Sequence, residues 1–145
     1  MKIISKIEVI KTGNEGEIYN ITPRIKEITK ETNIQNGTAY IFTKHTTTAF
    51  AINENEERLK EDIKKHIEKT APKESKYLHD DIELRNCLPD EPINGHSHIK
   101  ALALNTSETI PIINGELALG KWQSILFFEL DSKKEREIIV QIIGI

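Results

Sequence analysis

The sequence contains one cysteine and one methionine among its 145 residues. A lone cysteine excludes an internal disulfide framework and a dithiol redox motif, so we expect Cys87 to be a passive, dispensable side chain. No uninterrupted apolar run of about eighteen residues is present, so no membrane-spanning helix is predicted. No basic segment followed by an apolar run marks a secretory leader. These absences predict a cytoplasmic protein without a membrane partner.

An excess of charge of one sign is also missing, because 20 Lys and Arg residues stand against 23 Asp and Glu residues. The charges nearly cancel and no basic stripe stands out, which disfavours nucleic acid as a partner. At 145 residues the chain is long enough to bury one hydrophobic core. We therefore expect a single domain over residues 1–145.

The first half of the chain alternates between strand-like and helix-like segments. Residues 3–11 predict a strand, and residues 17–20 resume an extended course after a Gly-containing break, which favours an opening hairpin. Thr22-Pro23 is typical of a helix start, and Ile25 and Ile28 follow at helical spacing. A helix is therefore expected over residues 23–33.

Two further strands, over residues 38–44 and 49–52, flank the polar stretch His45-Thr46-Thr47-Thr48. A polar cluster between strands indicates either a functional loop or a Thr-rich surface turn. The acidic run over residues 53–57 is typical of a helix start, since carboxylates stabilise the first turn. A long connection over residues 73–92 follows that helix and favours a binding loop.

The carboxyl-terminal third predicts hairpins. Asn114-Gly115 joins two strand-like segments and fits the positive backbone angles of a type I′ turn. Residues 122–130 alternate between two apolar faces, with Ile125 and Phe127 on one of them. A last strand is expected over residues 136–145. Together these elements predict an α+β domain with a largely antiparallel β-sheet or sandwich and two main helices.

One short motif suggests a metal. Asn94-Gly95 predicts a turn into an alternating segment, residues 99–104, and a strand there would point His96 and His98 to the same face. Imidazoles bind zinc and other transition metals, and His45 and His79 are the candidate additional ligands. A His-x-His pair is also common by chance, and ordinary surface or core histidines are the alternative.

The ordered motifs of the whole chain resemble the YjbQ-like family, often described as secondary thiamine-phosphate synthase type. The motifs are Gly16 to Thr22, His45 to Ala49 with Asn53-Glu54, Tyr77-Leu78-His79, Asn94 to His98, Ile110-Pro111-Ile112, Leu119 to Gln123, and Glu129 to Arg136. The resemblance implies an α+β fold, a homotrimer, a cytoplasmic setting and a pocket lined by the family's histidines. The resemblance thus brings His45 and His79 into one pocket with His96 and His98, and the imidazole chemistry of the set predicts a divalent metal there, with zinc as the candidate.

The activity implied by the resemblance joins a hydroxymethylpyrimidine diphosphate to a thiazole phosphate and releases diphosphate. Such a site requires cations beside the departing diphosphate and an apolar wall beside the pyrimidine. The candidates are Arg85, Lys121 and Arg136 for the phosphates, Trp122 for the wall, and Glu54, Gln123 and Glu129 for catalysis. Two alternatives stay open, namely a metal-dependent hydrolase with Glu54 or Glu129 as general base, and a non-catalytic metabolite-binding trimer.

Overall fold

A computed structural model describes residues 1–145 as eight strands and three helices. The strands are β1 (Lys2–Lys11), β2 (Ile18–Asn20), β3 (Gly37–Thr43), β4 (Thr48–Asn53), β5 (Ser107–Ile113), β6 (Glu116–Leu117), β7 (Ser124–Glu129) and β8 (Glu135–Gly144). The helices are α1 (Thr22–Thr32), α2 (Glu57–Thr70) and α3 (Gly95–Leu102). None of the helices has the length and apolar character needed to cross a membrane.

The strands form two antiparallel sheets, which confirms the predicted fold class. The larger sheet has the order β1-β8-β3-β5-β6, and the smaller has the order β2-β7-β4. The expected opening hairpin is wrong, because β1 pairs with β8 whereas β2 pairs with β7 in the other sheet. The Asn114-Gly115 turn is confirmed, with φ of 52° and 79° at its two residues.

The alternation predicted for residues 122–130 is confirmed in β7. Ile125 and Phe127 belong to the main core between the two sheets and α1. Leu126 and Phe128 face a smaller core that also includes Ile67 of α2. Both apolar faces of β7 are therefore covered within one chain, and neither requires a second subunit.

Uncovered apolar surface lies instead on the outer face of the larger sheet. Ile3, Ile7 and Val9 alternate along β1 and are 62%, 61% and 54% exposed. Their neighbours on β1 at the even positions face inwards and are partly buried. This strand thus has an inner face that packs on the domain and an outer apolar face that does not.

The start of α2 is stabilised by a side chain next to it in the sequence, whereas the start of α1 is bonded to a distant strand. The Glu56 carboxylate accepts hydrogen bonds from the backbone N–H groups of Arg58 and Leu59, at 2.9 and 2.6 Å, as expected for the acidic run. The Thr22 hydroxyl does not cap α1. It accepts a hydrogen bond from the backbone N–H of Ile125 at 2.7 Å and joins α1 to β7.

The segment predicted as a strand over residues 99–104 lies largely in α3, so the strand prediction is wrong. Its residues alternate in polarity, but alanine and leucine favour helices and alanine is depleted in strands. Asn94 precedes the helix, and its side chain bonds to Asp131 at 3.0 Å. The third helix changes the geometry of the predicted histidine pair.

Candidate functional site

Helix α3 directs His96 and His98 to different surroundings. Residues two apart on a helix point about 200° apart, whereas on a strand they would share a face. His96 is 3% exposed, and its Nε2 lies 2.7 Å from Glu15 Oε1. His98 is half-buried and meets His79 edge to face, with ring centroids 4.5 Å apart. The two imidazoles therefore do not converge.

A cleft of about 460 Å³ lies on the His98 side, and we call it the polar cleft. No large apolar side chain lines it. Its charged and imidazole lining consists of Lys44, Arg85, Lys134, Arg136, Glu91, His45, His79 and His98. The cleft forms where the loop after β3, the long connection before α3, the turn before β8 and α3 itself meet.

His45 is held in one tautomer by the backbone. The N–H of Glu137 donates to His45 Nε2 at 3.0 Å, and a backbone N–H can act only as a donor. The neutral ring therefore carries its proton on Nδ1. Burial lowers the pKa of His45 below its ordinary value, and the nearby Arg136 guanidinium acts in the same direction. His45 is thus a neutral N–H donor at neutral pH.

Arg136 is fixed by a buried ion pair at the base of the cleft. Its Nε donates to Glu129 Oε2 at 2.8 Å and its Nη2 donates to Glu129 Oε1 at 2.5 Å. Thr12 and the backbone of Asp131 also donate to Glu129, whose carboxylate is fully buried. Every lone-pair direction of Glu129 is engaged, so this residue positions Arg136 and is not placed to act as a general base.

Asp131 anchors two walls of the cleft. Its Oδ2 accepts from Lys134 Nζ at 2.6 Å and from Asn94 Nδ2 at 3.0 Å. Burial alone would raise the pKa of Asp131, but these two hydrogen bonds and the nearby charges of Lys134 and Arg136 together outweigh it, so the pKa lies below its ordinary value. The ionised carboxylate ties the start of α3 to the turn that carries Lys134.

The long connection supplies the remaining wall. Arg85 Nη1 donates to the His79 carbonyl at 2.9 Å, so the two residues stay together. The N–H of Gly95 donates to Asp80 Oδ1 at 2.8 Å, which holds the connection against α3. Burial lowers the pKa of His98, and the adjacent His79 and Arg85 act in the same direction. The cleft is therefore rich in positive charge.

Several predicted residues lie away from the polar cleft. Glu54 follows the end of β4, whose first residue is next to the His45 loop, and six strand residues span about 20 Å. Gln123 precedes Ser124, which pairs with Asn53 at that same distant end. The exposed Lys121 and Trp122 are there too, with Lys121 Nζ 4.8 Å from the indole centroid. A single chain does not bring these residues to His45.

Whether the polar cleft can bind a divalent metal depends on the ligands that it brings together and not on its positive charge. No group of three His, Cys, Asp or Glu side chains lies together in an arrangement that holds an ion. His79 and His98 are adjacent, His45 already accepts through Nε2, and His96 lies on the other side of α3. Zinc sites in proteins use three or four ligands. A metal bound by these histidines stays a prediction.

His96 instead belongs to a network of ion pairs on the opposite side of α3. Glu15 accepts from His96, and its other oxygen accepts from Lys73 Nζ at 2.6 Å. Lys100, which is also buried on α3, donates to Glu68 of α2. These contacts fasten α3 to α2 and to the loop after β1, so His96 has a structural explanation.

Lys134, Asp131 and Asn94 were not among the predicted site residues. A signal for the first two exists in the sequence, because Asp131 and Lys134 are three residues apart within a short charged turn. Asn94-Gly95 predicts a turn before a strand, although asparagine is also a favoured residue immediately before a helix. Their meeting place depends on contacts between distant segments.

Comparison with known proteins identifies relatives of this chain over almost its whole length. A sequence model for the family described as UPF0047 protein YjbQ-like matches residues 6–145. A UPF0047 protein from Methanothermobacter thermautotrophicus is 36% identical over 144 residues, with 99% of this chain and 94% of the relative covered. One from Archaeoglobus fulgidus is 37% identical over 132 residues, with 91% and 95% covered.

Solved structures share the fold over nearly their full length. A YbjQ-like protein of unknown function from Sulfolobus solfataricus superposes with a TM-score of 0.90 at 31% identity, covering 99% of both chains. A hypothetical protein from Aeropyrum pernix gives a TM-score of 0.86 at 28% identity, covering 98% of this chain and 99% of that one.

Proposed function

We propose that this chain, which belongs to the YjbQ-like UPF0047 family, uses the polar cleft to bind the phosphate or diphosphate group of a small metabolite. The family is one of unknown function. The observation that carries the proposal is the charge of the lining, where four basic side chains face one carboxylate, Glu91. Such a lining attracts anions and provides several hydrogen-bond donors for phosphoryl oxygens.

The balance of charge also favours an anion after internal ion pairs are counted. Glu129 compensates Arg136, and Asp131 compensates Lys134. Arg85 and Lys44 have no carboxylate within ion-pair distance, so two cations are left for a ligand. Arg85 is especially suited, because its planar guanidinium donates to two phosphate oxygens at once.

The specific activity that the resemblance suggests is thiamine-phosphate synthesis, in which diphosphate is the leaving group. Cations at the polar cleft support this proposal, since they stabilise charge that develops on the departing diphosphate. The apolar wall for the pyrimidine has no counterpart in the cleft, because Trp122 is 64% exposed at the other end of the smaller sheet. Product formation from the pyrimidine diphosphate and thiazole phosphate is the direct assay.

Metal-dependent hydrolysis is the second candidate, and one observation favours it. His79 and His98 are adjacent in the cleft that carries the cations. A divalent ion, with zinc as the candidate, would supply Lewis-acid activation of a phosphoryl oxygen beside them. Release of inorganic phosphate from a phosphomonoester in the presence of zinc distinguishes this activity from thiamine-phosphate synthesis.

Calorimetric titration with inorganic diphosphate tests the binding proposal. Arg85→Gln removes a charge from the cleft and is expected to weaken diphosphate binding about tenfold or more, since a hydrogen bond to a charged group contributes roughly 1.5–3 kcal/mol. Lys121→Gln removes the same charge from an exposed side chain outside the cleft and serves as the matched control. Equal affinity in the two variants would refute the assignment of the polar cleft.

Assembly is the remaining part of the proposal. A homotrimer is supported by the family resemblance and by the uncovered outer face of β1, because apolar patches of this kind commonly form subunit interfaces. Ile7 is 61% exposed in the single chain and lies in the middle of that face. Light scattering is expected to give a trimer for the natural protein and a smaller species for Ile7→Glu. A monomeric natural protein at micromolar concentration would contradict the trimer.

A further inference from the structure

The polar cleft contains hydrogen-bond acceptors as well as cations. A cleft that binds phosphate alone needs only donors, because every ionised phosphate oxygen is an acceptor. Two of the lining residues, Asn94 and Glu91, instead contribute acceptor oxygens that have no partner within the chain. If the cleft binds phosphate as proposed above, these acceptors select the part of the ligand that is not phosphate.

The side-chain oxygen of Asn94 is the first of these acceptors. Asn94 is 7% exposed, and its Nδ2 donates to Asp131 Oδ2 at 3.0 Å. The ionised Asp131 carboxylate can only accept, so the amide turns its NH₂ group towards Asp131 and its Oδ1 away. No side-chain oxygen or nitrogen that is sealed from solvent lacks a hydrogen-bond partner, so the unpartnered Oδ1 opens into the cleft that Asn94 lines.

A cation lies next to the Asn94 amide. Lys134 Nζ donates to the same oxygen, Asp131 Oδ2, at 2.6 Å, so the amide and the ammonium group share one anchor. An ammonium group has three N–H bonds, and this contact uses one of them. The Lys134 side chain is 37% exposed, which leaves the others open to a ligand. One small molecule can therefore contact Lys134 through an anion and Asn94 Oδ1 through a hydrogen-bond donor.

The carboxylate of Glu91 is the second acceptor. Glu91 lies three residues before Asn94, so the two Cα atoms are at most about 11 Å apart. Its backbone N–H donates to the Leu88 carbonyl at 3.2 Å, but its carboxylate has no hydrogen bond and no cation within ion-pair distance. A free carboxylate repels a second anionic group and accepts strong hydrogen bonds from neutral donors. This wall of the cleft therefore favours a ligand segment that carries donors.

We propose that the ligand of the polar cleft is a phosphate monoester of a polyhydroxylated compound, which is the chemistry of a sugar phosphate. Its phosphate pairs with Lys134 and the other cations, and its hydroxyl groups donate to Asn94 Oδ1 and to Glu91. The excess of cations around the cleft disfavours an ammonium group in the place of these hydroxyls. An aryl group is also disfavoured, since no large apolar side chain lines the cleft.

Two phosphate esters of similar size isolate the contribution of the hydroxyl groups. Glycerol 3-phosphate and propyl phosphate have the same three-carbon chain and the same phosphate group, and only the former has hydroxyls. Calorimetric titration is expected to show that glycerol 3-phosphate binds about tenfold more tightly, because propyl phosphate leaves both acceptors without a partner. Phenyl phosphate is expected to bind more weakly than glycerol 3-phosphate, and tighter binding of the aryl ester would overturn the proposal.

The side-chain amide signal of Asn94 in an NMR spectrum reports on the first acceptor. A hydrogen bond at Oδ1 polarises the amide, so we expect a saturable shift with glycerol 3-phosphate and a smaller one with propyl phosphate. The variant Asn94→Ala identifies the signal by its absence. An equal response to the two esters would overturn the role of Oδ1 in the proposal.

The variant Glu91→Ala tests the second acceptor. It is expected to lower the preference for glycerol 3-phosphate over propyl phosphate about threefold to tenfold. It is also expected to strengthen the binding of inorganic diphosphate, because a negative charge is removed from the cleft. The matched control is Glu83→Ala, since Glu83 is an exposed carboxylate of the same long connection and lies outside the cleft. Equal effects of the two substitutions would overturn the proposal.

Inorganic diphosphate separates this proposal from the phosphate binding on which it rests. Arg85→Gln is expected to weaken both esters and diphosphate and to preserve the preference for glycerol 3-phosphate. Diphosphate binding that depends on Arg85, together with equal affinity for the two esters, would refute the hydroxylated ligand and leave phosphate binding in place. Failure of diphosphate and of both esters to bind would refute phosphate binding in the polar cleft itself.

Discussion

The two sides of α3 present different environments within one turn of helix. On the His98 side, the polar cleft has two cations without carboxylate partners and no large apolar side chain. On the His96 side, the charges are largely paired with one another and an apolar floor lies beneath them. Unpaired charge can be satisfied by a ligand, whereas paired charge already stabilises the fold. The same residue type therefore has different surroundings at positions 96 and 98.

The largest expected contrast concerns the ion pairs that support the two sides. Glu129→Gln leaves the buried Arg136 without its counter-charge, and removal of one partner of a buried pair costs about 3–5 kcal/mol. Glu15→Gln is expected to cost about 1 kcal/mol or less, because the Glu15 side chain is 24% exposed and water screens its pairs. Urea denaturation of the two variants measures the difference.

A similar loss of stability in Glu129→Gln and Glu15→Gln would contradict this comparison. Glu129→Gln should also weaken diphosphate binding even where the protein remains folded, since Arg136 loses the contacts that orient it. Native-like circular dichroism at low temperature provides the control for folding.

The next prediction compares substitutions of the two histidines of α3. His98→Ala is expected to weaken diphosphate binding about threefold to tenfold and to lower any zinc content, because His98 lines the polar cleft beside His79. His96→Ala is expected to leave both properties at the natural level, since His96 bonds to Glu15 on the other side. The exposed His66 on α2 provides a neutral control as His66→Ala.

Calorimetry and elemental analysis of the three purified variants decide between one histidine site and two. Equal losses in His96→Ala and His98→Ala would restore the single site that the strand prediction implied. Equal zinc content in all three variants would instead show that neither His96 nor His98 binds the metal.

The two sides of α3 should also differ in their response to pH, because His98 and His45 lie on the side of the polar cleft. Burial lowers the pKa of His45 and of His98 in the free protein, and a bound anion would raise both values. Protons are then taken up on binding, so sulfate, which keeps its double charge, should bind more tightly as the pH falls from about 8 to about 5. The gain is up to about tenfold for each imidazole and each unit of pKa change.

The free protein should show the opposite trend in stability. Because both folded pKa values lie below the unfolded value of about 6.5, the unfolded state binds protons first and stability falls as the pH drops below that value. Sulfate should offset part of this loss. A double variant with His45→Gln and His98→Gln is expected to bind sulfate independently of pH, and an unchanged pH dependence in that variant would contradict the assignment.

The smallest effect is expected at Cys87. Its thiol is half-buried in the long connection and lies 3.8 Å from the Ile82 carbonyl, a weak contact. Cys87→Ser should leave assembly and diphosphate binding unchanged. A loss of either, measured by light scattering or titration, would show that the thiol has a specific role.

Local chemistry explains which predictions from the sequence succeeded. The Asn114-Gly115 turn depends on backbone angles that these two residues adopt readily, and Glu56 caps α2 through its own neighbours. The alternation of β7 follows from the period of a strand. Each of these features is determined within a few residues of chain, so each can be recognised without knowledge of distant contacts.

Composition could have corrected the strand prediction over residues 99–104. Polarity alternates there as in a strand, but alanine and leucine are strong helix formers, and Asn94 precedes the segment at a favoured helix start. The alternation of polarity predicts a strand and the residue propensities predict a helix, and the segment forms a helix. The error carried over to His96 and His98, because a shared face is a property of the strand alone.

The sequence by itself determined the positions of most strands, the first two helices, the tight turn and the family, because these depend on short-range pattern and on ordered motifs. Only the tertiary structure decided that Glu129 holds Arg136, that Asp131 joins Asn94 to Lys134, and that Glu54 and Gln123 lie at the far end of the smaller sheet. The physical reason is that buried charges require partners, and those partners come from whichever distant segments the packing of the two sheets brings within hydrogen-bonding distance.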